Sequence, residues 1–268
     1  MRKKLQGLLL CIVFCLVISL MYSPFAWSQD KTIKIGFNLP LTGQIPKVGE
    51  ISRNAAEMLK AQLNAFGGLK IGDEYYGLEF LYEDNETRAD STVIVTLKLI
   101  TADGVLGIIG PQASVQAVPV GEICDAHATP MISAWSTHPA TTKDRPYVFR
   151  ACFIDTFQGP VAANFATEEF GAKTAAELYD IQSDYPRGLA KLFKNAFEEL
   201  HGKGSVVAFE AFTTGEEDFS SQLTTIIDSN ADVLFVPQYY QEVPLIVKQA
   251  HNLGWNKPIM GSDSWGSG

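Results

Sequence analysis

Short apolar runs alternate with longer amphipathic windows along most of the chain. The runs favour strands buried on both faces, because helices cover both sides of a parallel sheet. The windows repeat apolar residues at helical spacing, and several end at glycine. The predicted strands cover residues 32–38, 78–83, 105–109, 130–133, 175–180, 206–212, 233–236 and 258–260, and the predicted helices cover residues 50–66, 89–102, 115–126, 159–170, 188–200, 220–229 and 243–253. This alternation predicts an α/β fold with doubly wound parallel sheets.

The run YVFRACFIDT at residues 147–156 marks a boundary between two lobes. It is extended, and the Gln158-Gly159-Pro160 segment after it begins a helix instead of another turn in the first sheet. We therefore predict an N-terminal lobe at residues 29–152 and a second lobe at residues 153–268, with four strands in each. Two similar α/β lobes of this kind enclose a cleft.

The first 28 residues have the pattern of an export signal. A basic segment at residues 2–4 precedes an almost wholly apolar stretch at residues 8–20, and Ala26 and Ser28 are small residues at the positions that a signal peptidase inspects. The apolar stretch is shorter than the roughly 20 residues of a membrane-spanning helix. We predict cleavage after Ser28 and a periplasmic location.

The chain is acidic. It has 30 Asp and Glu residues against 21 Lys and Arg, a net charge of −9, and removal of the signal would take three basic residues with it. A surface of this charge argues against nucleic acid or an anionic membrane as a partner.

Only two cysteines, Cys124 and Cys152, lie outside the predicted signal. Export would permit a disulfide between them, which could stabilise the fold by about 3–4 kcal/mol on the chain-entropy account. The alternative is two thiols that pack as small apolar side chains. The sequence leaves both open.

Motifs for catalysis and metal binding are missing from the sequence. It contains no nucleophile elbow, no Walker loop and no dinucleotide-binding fingerprint. The four histidines lack metal-ligand spacing, which favours solvated or capping roles for them. We therefore expect a protein that is not an enzyme and that has no metal or cofactor.

Hydroxyl side chains follow two predicted strands of the first lobe. The segment MISAWSTHPATT at residues 131–142 carries five of them and no carboxylate, and Ser114 begins a helix after the Gly-Pro break of GIIGPQAS. The carboxyl edge of a parallel sheet is where open α/β folds bind ligands. A helix start at that edge favours an anion. The first lobe therefore predicts a binding site for a carboxylate.

Polar and aromatic residues also follow strands elsewhere in the chain. They are Thr42, Gly43, Asp180, Tyr185, Tyr239, Tyr240 and Asp263. Each alone has a simpler explanation, such as packing for Tyr185, a solvated loop for Asp263, or a helix cap for Ser114. Their recurrence at the strand ends of both lobes indicates a shared cleft.

The chain resembles a known family at this point. The segments IKIGFNLPLTG, FLYEDNETRADSTV, GIIGPQAS, MISAWSTHPATT, VFRACFIDTFQG, YDIQSDYPRGLA, TTGEEDFSSQL and PIMGSDSW occur in order. Together they are similar to the type 1 periplasmic solute-binding proteins of ABC importers, in the branched-chain amino acid and amide group. The resemblance covers residues 31–265. Members of this family are not enzymes; they hold a solute between two hinged α/β lobes and deliver it to a membrane permease.

The resemblance implies a role for seven residues. Ser114 and Thr137 would bind the carboxylate of the solute, and the backbone at Trp135 and Ser136 would complete that site. Asp263 would bind the ammonium group together with a carbonyl near Trp135. The phenols of Tyr185 and Tyr239, both in the second lobe, would close over the solute.

Three departures from the family pattern limit what can be said of the solute. Trp135 replaces a small residue of the leucine/isoleucine/valine binders, Val48 replaces an aromatic residue, and Asp263 replaces a glutamate. The identity of the solute therefore stays open among another amino acid, an amide, urea and a small carboxylate. The family also continues beyond position 268 through a final hinge strand and closing helices, so we expect this chain to be a fragment or a truncated product.

The leading hypothesis is an exported, monomeric solute-binding component of an ABC importer, whose partners are an amino acid, a small amide or a small carboxylate and a membrane permease. Two alternatives use related folds. One is a ligand-sensing ectodomain or regulatory binding protein, and the other is an exported enzyme of flavodoxin-like architecture. The enzyme is disfavoured because no nucleophile and base are visible in the sequence.

Overall fold

The first of two sheets is built from the N-terminal half of the chain. A computed structural model describes residues 31–267, and the predicted signal at residues 1–28 lies outside them. The strands are β1 (Thr32–Leu39), β2 (Leu69–Ile71), β3 (Glu74–Asp84), β4 (Gly107–Ile109), β5 (Met131–Ser133) and β6 (Val148–Arg150), in the order β2-β3-β1-β4-β5-β6. Only β2 runs antiparallel to its neighbour among these pairs. The connecting helices are α1 (Pro46–Ala65), α2 (Ala89–Leu97, continued by a π-helical turn at Lys98–Ala102) and α3 (Ser114–Ala126).

The second sheet follows the same plan. Its strands are β7 (Ala175–Asp180), β8 (Val206–Phe212), β9 (Val233–Phe235) and β10 (Ile259–Met260), all parallel, in the order β10-β9-β7-β8. Its helices are α4 (Asp155–Phe170), α5 (Asp184–His201), α6 (Ser220–Asp228) and α7 (Val243–Asn252). The connection from β6 to α4 joins the two parts, and the predicted boundary between residues 152 and 153 falls within it.

The α/β class with two doubly wound sheets is confirmed, and every predicted strand and helix is present. Helices α1, α4 and α5 begin at Pro46, Asp155 and Asp184, four residues before their predicted starts. Their first turns hold a proline or an acidic residue, which suit a helix start but add nothing to the apolar period.

The prediction of four strands in the first lobe was wrong, because β2 and β6 add to it. Both have three residues, too few to show a periodic pattern. Strand β2 pairs with β3 through a hairpin at Gly72, whose φ of 62° suits glycine. Strand β6 lies in the extended run at residues 147–156, which was not among the predicted strands.

One buried cluster combines part of the second-lobe core with a few residues of the first lobe. In the second lobe, Phe193 of α5 stacks on Phe235 of β9 with ring centroids 4.3 Å apart, and on Phe197 at 5.5 Å. Ile45 and Val48, from the start of α1, belong to the same cluster. The lobes therefore share apolar contacts across the space between them.

The two cysteines outside the signal are both free thiols, Cys124 buried and Cys152 partly exposed. The packed-thiol interpretation applies to Cys124, whose pKa is raised to about 12 by burial. Among residues 31–267, no helix combines the length and apolarity needed to cross a membrane.

Replacement of Phe193 by alanine tests the second-lobe core. Phe193 is fully buried between two other rings, so Phe193→Ala should lower the free energy of unfolding by about 3–5 kcal/mol. Urea denaturation followed by circular dichroism measures this. Phe66→Ala, at a residue that is 79% exposed, is the control and should change the value by about 0.5 kcal/mol or less. Equal effects of the two changes would contradict the packing described.

Candidate functional site

The carboxyl ends of the two sheets face one small cavity of about 10 Å³. Ser114 follows β4 and Trp135 follows β5, whereas Tyr185, Tyr239 and Asp263 follow β7, β9 and β10. These five lining residues, all predicted from the sequence, are joined by two that were not predicted, Gln112 and Ser264. Both sheets thus contribute to a single site at the edge where parallel sheets bind ligands.

The first-lobe wall contains a chain of buried hydroxyl groups. Ser114 Oγ lies 2.8 Å from Ser136 Oγ, which lies 2.7 Å from Thr141 Oγ1. Ser114 is the first residue of α3, where backbone N–H groups lack helical partners and the helix dipole is positive. The hydroxyl groups and the helix start together favour a negatively charged group next to Ser114.

Ser136 and Thr137, two further predicted site residues, do not line the cavity directly. The Ser136 N–H donates to Ser133 Oγ at 3.1 Å, and the Ser136 carbonyl accepts from Arg150 at 2.8 Å. The Thr137 carbonyl accepts from the Asp155 N–H at 3.0 Å, whereas its buried Oγ1 has no hydrogen-bond partner among the described residues. Ser136 therefore reaches the cavity through its hydroxyl bond to Ser114 instead of through its backbone.

The second-lobe wall is organised around the phenol of Tyr185. It donates to Asp263 Oδ1 at 2.6 Å and lies 2.7 Å from Ser262 Oγ, which can donate to it. It also lies 3.1 Å from Ser264 Oγ, whose hydroxyl donates to the Gln238 carbonyl at 2.7 Å. Gln158 Nε2 also donates to Asp263 Oδ1, at 3.0 Å. Loss of solvent raises the pKa of Asp263 above its ordinary value, and the Tyr185 hydrogen bond opposes that rise.

Three aromatic rings stack across the space between the lobes. Trp135 of the first lobe packs on Tyr239 with centroids 5.6 Å apart and planes at 24°. Tyr239 packs on Tyr185 with centroids 5.4 Å apart and planes at 25°. Each pair has the offset geometry that aromatic rings favour. The stack therefore connects the first-lobe loop after β5 to helix α5 of the second lobe.

Asp155 is a buried acid near the site that was not predicted. Both of its carboxylate oxygens are buried without a hydrogen-bond partner among the described residues. Burial raises the pKa of Asp155 to about 7; the nearby Thr137 hydroxyl opposes this rise, and the charge of Asp263 adds to it. Asp155 lies in the family segment VFRACFIDTFQG, but the helix was predicted to begin four residues later, so the acid was not assigned to the site.

Other buried polar atoms around the site also have no partner within the chain as described. Gln112 Oε1, Gln158 Oε1 and the Tyr239 hydroxyl are examples, and each belongs to a residue that lines the cavity or binds a lining residue. Buried polar atoms in folded proteins are normally paired. Their concentration here indicates a polar binding site instead of a structural core.

The lobes also contact each other beside the cavity. Gln44 Nε2 donates to Glu242 Oε1 at 2.7 Å, and the Lys47 N–H donates to the Tyr240 hydroxyl at 3.3 Å. Tyr240, predicted to face the cleft, therefore bridges the lobes. The described arrangement is one in which the lobes are closed on each other.

Three other predicted strand-end residues serve their own lobes. Thr42 donates to Asp84 Oδ2 at 2.7 Å, and Gly43 lies in the same loop with a φ of 86°. Asp180 accepts from the Gln182 N–H at 2.8 Å and from the Thr214 hydroxyl. Their contacts stabilise loops and do not line the cavity.

Within residues 31–267, no group of three or more His, Cys, Asp or Glu residues could hold a metal ion. Three histidines have local structural partners. His138 Nδ1 accepts from the Ala140 N–H at 3.2 Å, His201 Nε2 lies 2.8 Å from Thr167 Oγ1, and His251 Nδ1 lies 2.9 Å from the Trp255 carbonyl.

A family comparison agrees with this geometry. The model of a family described as "Periplasmic binding protein" matches residues 32–268. The chain belongs to the periplasmic binding protein family. This family consists of binding proteins and not of enzymes, and membership indicates a location outside the cytoplasm.

Curated relatives in this family include amino-acid-binding proteins. The leucine-specific-binding protein of Salmonella typhimurium is 29% identical over 252 residues, which are 94% of this chain and 66% of that protein. The Leu/Ile/Val-binding protein BraC3 of Rhizobium johnstonii is 30% identical over 92% of this chain and 65% of its own length. The chain thus spans just under two thirds of the length of these relatives.

Solved structures give the same result. The leucine-binding protein LivK of Thermotoga maritima matches with a TM-score of 0.80 and 31% identity over 87% of this chain and 64% of its own. LivJ of Streptococcus pneumoniae, solved with isoleucine, matches with a TM-score of 0.79 and 34% identity over 88% and 65%. The predicted resemblance to the branched-chain amino acid group is therefore confirmed.

The raised pKa of Asp155 makes the stability of this binding-protein fold depend on pH. The folded state retains the proton, so the stabilisation is complete below about pH 3.8 and is lost as pH rises through about 7. Asp155→Asn removes this titration and should raise the free energy of unfolding at pH 8 by about 2–4 kcal/mol relative to the unmodified chain.

Denaturant unfolding at pH 4.5, 6 and 8 measures this difference, which should shrink towards the lowest pH. Asp228→Asn, at an exposed position on α6, is the control and should show no such trend. A difference that stays constant across the pH range would show that Asp155 does not titrate as described.

Proposed function

We propose that this chain is the solute-binding component of an ABC importer and holds an amino acid between lobes at residues 29–152 and 153–268. The signal at residues 1–28 would direct its export to the periplasm before cleavage. One observation carries the proposal: Ser114 at a helix start and Asp263 on the opposite lobe line the same cavity. An amino acid has one negative and one positive group, which these two walls complement.

The carboxylate of the solute would bind the first lobe. Ser114 lies at the start of α3 and is connected to Ser136 by a hydroxyl bond of 2.8 Å. Thr137, whose buried hydroxyl has no partner among the described residues and lies outside the cavity lining, is the second donor that the family resemblance assigns to this group. Charge-assisted hydrogen bonds contribute roughly 1.5–3 kcal/mol each, so a few of them provide micromolar affinity after the cost of ordering the solute.

The ammonium group of the solute would bind Asp263, with Asp155 nearby as a second acid. Neither acid forms a salt bridge among residues 31–267. The guanidinium of Arg150 donates to the Ser136 and His138 carbonyls instead. Burial of two carboxyl groups without a basic partner is costly, and a positively charged solute would relieve that cost.

Closure of the two lobes would complete the site. The Trp135–Tyr239 stack and the Gln44–Glu242 hydrogen bond both join one lobe to the other, so they form only when the lobes approach. A solute favours the closed state only if it binds that state more tightly than the open one. A solute that contacts both Ser114 and Asp263 does so, because closure of the lobes brings these two residues together. The permease would recognise the closed form.

The names of the relatives support an amino acid as the solute. One is named a leucine-specific-binding protein, and another, from Pseudomonas aeruginosa, is named for binding leucine, isoleucine, valine, threonine and alanine. No observation on the site favours the sensing or enzymatic alternatives.

Neutralisation of Asp263 tests the proposal. Asp263→Asn keeps the size of the side chain but removes the charge that would face the ammonium group. Affinity for the bound amino acid should fall by about 2–5 kcal/mol, because one partner of a charge pair is lost. Isothermal titration calorimetry with individual amino acids measures it, and Asp228→Asn serves as the matched control. Unchanged affinity in Asp263→Asn would remove this residue from the site.

A further inference from the structure

A side-chain amide oxygen of the first lobe lies in the cavity wall without a hydrogen-bond partner. It belongs to Gln112, which lines the cavity and is only 2% exposed. Its Oε1 atom is buried and accepts no hydrogen bond from any of the described residues. A buried acceptor of this kind costs free energy until a donor reaches it. The site therefore presents an acceptor that the protein itself does not satisfy.

Helix α1 fixes the orientation of this amide. Gln112 Nε2 donates to Ser52 Oγ at 2.7 Å. The Ser52 hydroxyl has a single proton, which it donates to the Val48 carbonyl at 2.8 Å, so its oxygen accepts from Gln112. The amide nitrogen is thus held by Ser52, and Oε1 is the atom that is left for the cavity.

The other hydroxyl groups of the cavity wall do not supply the missing donor. The Tyr239 hydroxyl is itself buried without a partner in the part of the chain that the structure describes, so it does not bond to Gln112. The Tyr185 hydroxyl donates to Asp263, and the Ser264 hydroxyl donates to a backbone carbonyl. A donor for Gln112 must therefore come from a molecule that enters the site.

Gln112 lies next to the residue that we assign to the solute carboxylate. Ala113, between Gln112 and Ser114, is extended with a φ of −74° and a ψ of 142°, so the two flanking side chains point to the same side. A carboxylate at Ser114 has no proton to donate, and the ammonium group is assigned to Asp263 on the opposite lobe. The side chain is the remaining part of the solute that can approach Gln112.

We infer that Gln112 selects an amino acid whose side chain carries a hydrogen-bond donor, a hydroxyl or an amide, over an apolar one of similar shape. This inference rests on the proposed function and specifies the solute within it. An apolar side chain would leave Gln112 Oε1 buried and unpaired, and a site built to hydrogen-bond its ligand discriminates strongly against an analogue that lacks the donor. Threonine and valine form such a pair, because a hydroxyl in one replaces a methyl group in the other.

Calorimetric titration of the exported chain with two pairs of amino acids tests the inference. The pairs are L-threonine with L-valine and L-asparagine with L-leucine. In at least one pair, the unmodified protein should bind the polar member at least tenfold more tightly than the apolar member. Gln112→Met keeps the length of the side chain but removes the acceptor, so that ratio should fall at least tenfold.

Gln116→Met is the matched control. Gln116 lies in the same helix, α3, and is fully buried with both polar atoms of its amide unpaired among the described residues, but it does not line the cavity. The change should therefore leave the ratio as it is. Thermal unfolding shows whether each variant is folded, and the ratios of the unmodified protein test the inference even if a variant is not.

Three results would overturn the inference. They are equal or tighter binding of the apolar member in both pairs, an unchanged ratio in folded Gln112→Met, and an equal fall in Gln116→Met. Each of them leaves the proposed function standing, since an amino acid still binds. If none of the standard amino acids binds to the unmodified protein, the proposed function itself fails.

Discussion

Contact between the carboxyl ends of two parallel sheets is the constraint on which the site depends. Each sheet places its helix starts and loops at that edge, and the Trp135–Tyr239 stack brings the two edges together. The chemistry is divided between them: a helix start with hydroxyl groups on the first sheet, and Asp263 with Tyr185 on the second. Neither sheet alone has complementary groups for both charges of the proposed amino acid, so the proposed site exists only between them.

Two buried carboxyl groups make the site electrostatically unfavourable, and a positively charged solute would relieve that cost. Asp155 and Asp263 both have raised pKa values because they are shielded from water, and the adjacent Arg150 is bound to backbone carbonyls. In an isolated protein such acids cost stability. Displaced pKa values of this kind are concentrated at functional sites. Glu177, fully buried in β7 with neither carboxylate oxygen hydrogen-bonded among the described residues, shows that a buried acid also occurs away from the cavity.

The sequence predicts the elements with long apolar patterns and the residues that directly follow them. Ser114, Tyr185 and Asp263 were predicted because each follows a clear strand, and all three line the cavity. Short strands such as β2 and β6 lack a period and were missed as sheet members. Asp155 was missed because its burial comes from packing between elements far apart in sequence. The resemblance implied that the Ser136 backbone completes the carboxylate site, but its N–H donates to Ser133 Oγ, a contact within the loop that no sequence pattern shows.

A distance measured across the mouth of the cleft tests the central claim most directly. Spin labels at Glu50→Cys on α1 and Gln241→Cys before α7, both exposed positions, report the separation of the lobes in a Cys152→Ser background. Double electron–electron resonance would record this separation with and without an amino acid that calorimetry shows to bind. The account predicts a shorter and narrower distance distribution with the solute. An unchanged distribution at saturation would contradict binding between closing lobes.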